Sequence, residues 1–147
     1  MTDSIRQQLI DAIDTRFNAI DTDGGFNSNL GAHVFDWLDR ELADSELESL
    51  VYRDRTNEIA SFTNREYTNK LRLEIVIKTR SADTTPEKLR EMIEDVYAAI
   101  GTDDTWGGLA LDTQPISEEM EVRHEDKITG TAKIVIEIEY QTEKWKY

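Results

Sequence analysis

The sequence predicts an α+β domain, with one largely antiparallel or mixed β-sheet and two main helices packed on one of its faces. Two segments carry apolar residues at helical spacing: Ile5, Leu9, Ile13, Phe17 and Ile20, then Leu89, Met92, Ile93, Val96 and Ile100. Two others alternate at strand spacing. Leu71, Leu73, Ile75 and Ile77 interleave with Arg72, Glu74, Val76 and Lys78, while Ile134, Ile136, Ile138 and Tyr140 interleave with Lys133, Val135, Glu137 and Glu139. Strands so alike belong side by side, with one face apolar under the helices and the other mostly charged. The 147 residues suit a single domain spanning 1–147, and a chain of this size buries roughly 68–70% of its unfolded surface without staples.

Taken in order, the first helix begins after Ser4, whose hydroxyl suits an N-cap, with Gln7 three residues on completing a capping-box pattern. It ends before Asp21-Thr22-Asp23-Gly24-Gly25, where the glycines supply backbone freedom. Val34-Phe35-Asp36-Trp37 reads as a short strand, with Trp37 in the core. The acidic stretch Asp39 to Glu48 reads as a loop or a single helical turn, after which Leu50-Val51-Tyr52 restarts a strand. Arg53 to Asn64 is polar and aperiodic, which predicts a long hairpin loop or mobile arm. The middle strand occupies 66–80. The second helix runs from Pro86 to Ile100, with Thr85 as its cap, Pro86 in the first turn and Gly101 closing it. Leu109–Leu111 and Met120–Arg123 are two short strand candidates divided by Pro115, and the long closing strand follows.

Composition excludes several function classes. There is no cysteine, hence no disulfide, thiolate metal site or cysteine nucleophile. The N-terminus lacks the pattern of a signal peptide, and no apolar stretch approaches the ~20 residues that span a bilayer, so the expected location is cytoplasmic. The net charge is −14, with 11 acidic and 3 basic side chains in 1–50, 9 of each in 51–100, and 11 and 5 in 101–147. So acidic a chain repels phosphate backbones, which argues against specific nucleic-acid binding. His33 and His124 have no metal-ligand spacing, and Asp21-Thr22-Asp23-Gly24 fails as a calcium loop because Ala19 stands where its first carboxylate belongs. No serine elbow or phosphate-binding glycine loop is present. The sequence therefore reads as a non-enzyme with no catalytic residue, metal or cofactor. Candidate interface residues are Phe35, which competes with Trp37 for one face of a short strand, and Trp106, a loop aromatic followed by two glycines, for which core packing is the first expectation and an interface anchor the alternative. Arg53 and Arg55 join them from the polar arm.

Two stretches carry a resemblance. Asn29-Leu30-Gly31-Ala32-His33-Val34-Phe35-Asp36-Trp37, followed by Leu50-Val51-Tyr52, resembles the Gly-x-x-Val-Phe-x-Trp region of phage and prophage tail terminators, the small tail-completion or minor tail proteins of the lambda-U-like class. Val96 to Ala110, with Asp103-Asp104-Thr105-Trp106-Gly107-Gly108-Leu109, is similar to the same family's helix end, and Glu139-Tyr140-Gln141-Thr142 fits its closing strand. Glu48-Ser49 replaces the proline often found before the second strand. The resemblance implies a structural protein that forms a ring, typically of six copies, on the head-proximal end of a tail tube. Its partners would be itself, the tube protein and a head-completion protein, first in the host cytoplasm and then in the virion tail. The acidic charge would let DNA pass a lumen without adhering. Two other readings stay open: a stand-alone acidic module that mimics DNA or inhibits a basic host protein, and an enzyme using carboxylates with a divalent metal.

Overall fold

The computed structural model describes residues 3–81, 85–125 and 127–147. Its elements are α1 (Ile5–Asn18), β1 (Val34–Asp36), β2 (Ser49–Phe62), β3 (Glu66–Ser81), α2 (Thr85–Gly101), β4 (Asp112–His124) and β5 (Ile128–Glu143). The five strands form one mixed sheet in the order β1-β2-β3-β5-β4, with β1 parallel to β2 and every other pair antiparallel. This is the α+β architecture that the periodicities predict.

The sheet is centred on β3 and β5, which pair from Glu66↔Glu143 to Ser81↔Ile128 without a slip. That register sets Leu71 beside Ile138, Leu73 beside Ile136 and Ile75 beside Ile134, all buried on one face. Both helices lie on that face. Leu9, Ile13 and Phe17 from α1 and Leu89, Met92 and Val96 from α2 complete the core. The Ser4 hydroxyl accepts from the Gln7 N–H at 3.1 Å, as expected of the N-cap.

Three expectations need correction. Arg53–Asn64 is not a loop or mobile arm: β2 continues to Phe62, and the hairpin turns within 63–65. Register shifts between Asp54 and Thr56 and between Ile59 and Ser61 break the two-residue period, so the strand is hidden in the sequence. Residues 112–124 form one strand rather than two short ones, and Leu109–Leu111 lies outside it. Pro115 is accommodated because β4 is an edge strand with a register shift between Pro115 and Ser117. Trp37 is not a core residue. It is 48% exposed, leaves the strand with φ 53°, and donates its indole N–H to Asp54 Oδ1 at 2.6 Å.

Lengths decide what the helices can cover. The 16 residues of β3 extend about 53 Å, whereas the 17 residues of α2 reach about 25 Å. Residues 58–66, the tip of the β2–β3 hairpin, are all exposed, whereas Leu71 and Leu73 farther along β3 remain in the core.

Asp95 of α2 anchors the irregular segment after α1. It is 2% exposed, and its carboxylate accepts from the Asn27 N–H at 2.8 Å, the Ser28 N–H at 2.9 Å and the Ser28 hydroxyl at 2.6 Å. Asp95→Ala strands these donors, so it should cost about 2–4 kcal/mol in urea unfolding. Asp95→Asn, which keeps one acceptor, should cost less.

Candidate assembly surfaces

Trp106 lies on the helical side. The turn Asp103–Gly108 is held by Asp103, whose carboxylate accepts from the Thr105 N–H at 3.0 Å, the Thr105 hydroxyl at 2.6 Å and the Gly107 N–H at 2.8 Å. These bonds hold the Asp103 carboxyl below its ordinary range. Trp106 has φ 55°, a left-handed conformation unfavourable for a bulky residue. Its burial offsets that cost. The ring is 2% exposed, its N–H donates to Thr113 Oγ1 at 2.9 Å, and the Arg16 guanidinium stacks 4.1 Å from its centroid. Trp106 is buried here, as the core-packing reading of it expects.

The other three candidates belong to β1 and β2. Phe35 pairs in register with Val51, which places it on the sheet face away from the helices, half-buried, with the Arg40 guanidinium 5.9 Å from its ring. Arg53, on the same face as Val51, donates to the Leu38 carbonyl at 2.9 Å. Arg55 sits at the first β2 register shift and pairs with Glu74 at 3.2 Å. The structure thus places Phe35 and Arg53 on one face and Trp106 on the other.

The face opposite the helices is open at its centre and partly roofed by residues 38–47. That segment is tied down through Asp44 and clipped internally by Arg40 and Glu46. Asp44 pairs with Arg80 and, at 2.8 Å, with Lys127. Arg40 forms two 2.7 Å bonds to Glu46, whose Oε1 also accepts from the Ala43 N–H at 3.0 Å. Between the segment and the sheet is a cleft of about 500 Å³, floored by Val51 and Val76. Among the described residues lining it are five cations, Arg40, Arg53, Lys78, Arg80 and Arg123, against two carboxylates, Glu41 and Glu125. In a chain of net charge −14 this local excess stands out. The sequence analysis missed it. The alternate positions of Lys78 and Arg80 were its one legible trace.

A second surface is apolar. Phe62 is 77% exposed at the end of β2, Ile59 is 46% exposed, and Trp145 is 85% exposed while its ring meets Tyr67 edge-on at 6.0 Å. Ile59 and Phe62 belong to the tip of the β2–β3 hairpin, and Trp145 to the turn after β5.

Carboxylates also gather around Tyr52. The Tyr52 hydroxyl donates to Asp14 at 2.8 Å, and burial together with that bond raises its pKa far above the ordinary phenol value. Asp36 is raised by burial first and then by Asp54, Asp14 and Asp11. Asp54 is already engaged by Arg6 at 2.9 Å and by Trp37. Among the described residues no three His, Cys, Asp or Glu side chains converge as a metal site. His33 has Nδ1 3.2 Å from the Glu48 carbonyl oxygen. No described helix is long and apolar enough to cross a membrane.

No protein-family model matches this chain, and no curated protein matches it.

The Arg40–Glu46 contact has a readable pH dependence. Arg40 and the Ala43 N–H hold the Glu46 carboxyl at about 2, against an ordinary 4.5. A depressed folded value means that the contact favours the native loop above about pH 4.5 and is lost as pH falls toward 2. An NMR titration of the Glu46 carboxyl should give a midpoint near 2, and Arg40→Ala should return it toward 4.5.

Proposed function

We propose that this chain is a ring-forming structural assembly protein of the tail-terminator kind, which caps the head-proximal end of a phage tail tube and offers the head its joining surface. The observation that carries the reading is the apolar exposure of Ile59 and Phe62 at the tip of the β2–β3 hairpin, with Trp145 exposed from the turn after β5 against Tyr67. Apolar side chains displayed together in this way suit burial against another protein. The resemblance of Asn29–Trp37 and Val96–Ala110 to tail terminators supplies the particular assembly. A ring also needs two unlike surfaces on each copy, because a heterologous contact closes only after a fixed rotation. The two edges of the sheet differ in this sense. One is the long, glutamate-bearing β4, and the other is the short β1, which leaves β2 from Arg53 onward without an outer strand among the described residues. The tube protein and a head-completion protein are the further partners.

A stand-alone acidic module is the second reading, favoured by the net charge of −14. It requires a monomer or dimer whose binding to a basic protein weakens steeply with salt.

Light scattering on a sizing column over a concentration series, with negative-stain imaging, tests the choice. Rings with a central hole are expected, alone or on isolated tube ends. Phe62→Asp should abolish them while shifting the unfolding midpoint little, because Phe62 is 77% exposed. A chain that stays monomeric even with tube ends, yet binds a basic partner in a salt-dependent way, overturns the reading.

A further inference from the structure

The cations of the cleft are not equally answered. Arg80 and Arg40 face Asp44 and Glu46, and Arg123 pairs with Glu121 at 3.0 Å. Arg53 is bound only to a neutral carbonyl, and among the described residues no carboxylate lies within 4.0 Å of the Lys78 ammonium. Arg53 and Lys78 flank Val51 and Val76 on the floor. The site is thus an apolar strip edged by two positive charges, and its complement is a segment with one apolar side chain and nearby carboxylates.

This chain carries such a segment elsewhere. In β4, Ile116 sits in the register shift and is 42% exposed, followed by Glu118, Glu119 and Glu121. Glu119 lies on the same sheet face as Lys133, and Glu121 on that of Thr131. Pro115, the register shift and the glutamates all discourage another strand from pairing along this edge. A contact made here is therefore a side-chain contact rather than an extension of the sheet.

We propose that the cleft receives residues Ile116–Glu121 of a second copy, with Ile116 against Val51 and Val76 and Glu119 near Lys78 and Arg53, while Glu121 stays paired with Arg123 of its own copy. Each copy then gives one segment and receives one across the same sheet face; the contact builds a ring where the rotation between copies closes beyond two, and a dimer where it is two-fold. The inference rests on the ring-forming reading and assigns it a contact. Because charge complementarity carries the contact, it weakens as salt rises.

Charge reversal tests it. Lys78→Glu alone and Glu119→Lys alone should each weaken self-association at least tenfold in sedimentation velocity, and a mixture of the two variants should recover hetero-assembly. In parallel, a labelled peptide of residues 114–124 should bind the wild-type chain by fluorescence anisotropy and lose at least tenfold in affinity to the Lys78→Glu chain. Thermal melts of each variant separate loss of contact from loss of fold. Rings that form unchanged in the variants overturn the contact and leave the ring reading standing. Peptide binding that depends on Lys78, with no rings under any condition, keeps the contact and overturns the ring reading. Absence of both peptide binding and charge-dependent association overturns the contact.

Discussion

The register between β3 and β5 is the constraint on which the other features of this protein depend. Strand side chains alternate between faces, so a slip of one residue would bring Arg72, Glu74 and Lys78 beneath the helices and turn Leu73, Ile75 and Ile77 to solvent. Sixteen consecutive pairs hold that choice. Once it is made, α1 and α2 have one face on which to dock, and Gly130 must stay small beside Thr85 and Leu89.

The uncovered face is kept soluble by an interleaved set of charges. Glu137 lies 3.9 Å from Lys70 and 3.3 Å from Arg72, and Glu74 lies 3.2 Å from Arg55 and 3.8 Å from Lys133. The cations in these pairs are largely solvated, so each pair contributes only about 0–1 kcal/mol. Their effect is to make the face polar and locally balanced.

Legibility in the sequence followed burial. α1, α2, β3 and β5 each bury one complete face, so their periods survive as patterns of Leu, Ile and Val. The outer half of β2 and most of β4 bury little, and register shifts interrupt both. With no core to satisfy, their side chains carry no two-residue signal, and Pro115 misleads because an edge tolerates what a central strand does not. Trp37 and Trp106 show a second limit. Both have left-handed backbone, at φ 53° and 55°, yet one is exposed and the other buried. Their fates are set by Asp54, Arg16 and Thr113, partners 17, 90 and 7 positions away that local sequence does not reveal. The candidate surfaces were half visible. Phe35 and Arg53 lie on the face that holds the cleft, while residues 38–47, which roof it, carry no periodic signal at all.

The acidic composition also has a structural share. Asp95 holds the segment after α1, Asp103 shapes the turn of Trp106, Asp54 joins Arg6 to Trp37, Asp44 ties the roof of the cleft to β3, and Glu46 clips that roof internally. Carboxylates serve here because an ionised oxygen pair accepts several backbone and cationic donors at once, which a neutral side chain does less well. Each of these groups points at a partner within the chain, so its charge is spent locally rather than displayed. A surface that imitates a phosphate backbone needs regularly spaced carboxylates facing outward and unpaired. Part of the −14 is thus held inside the fold's own contacts.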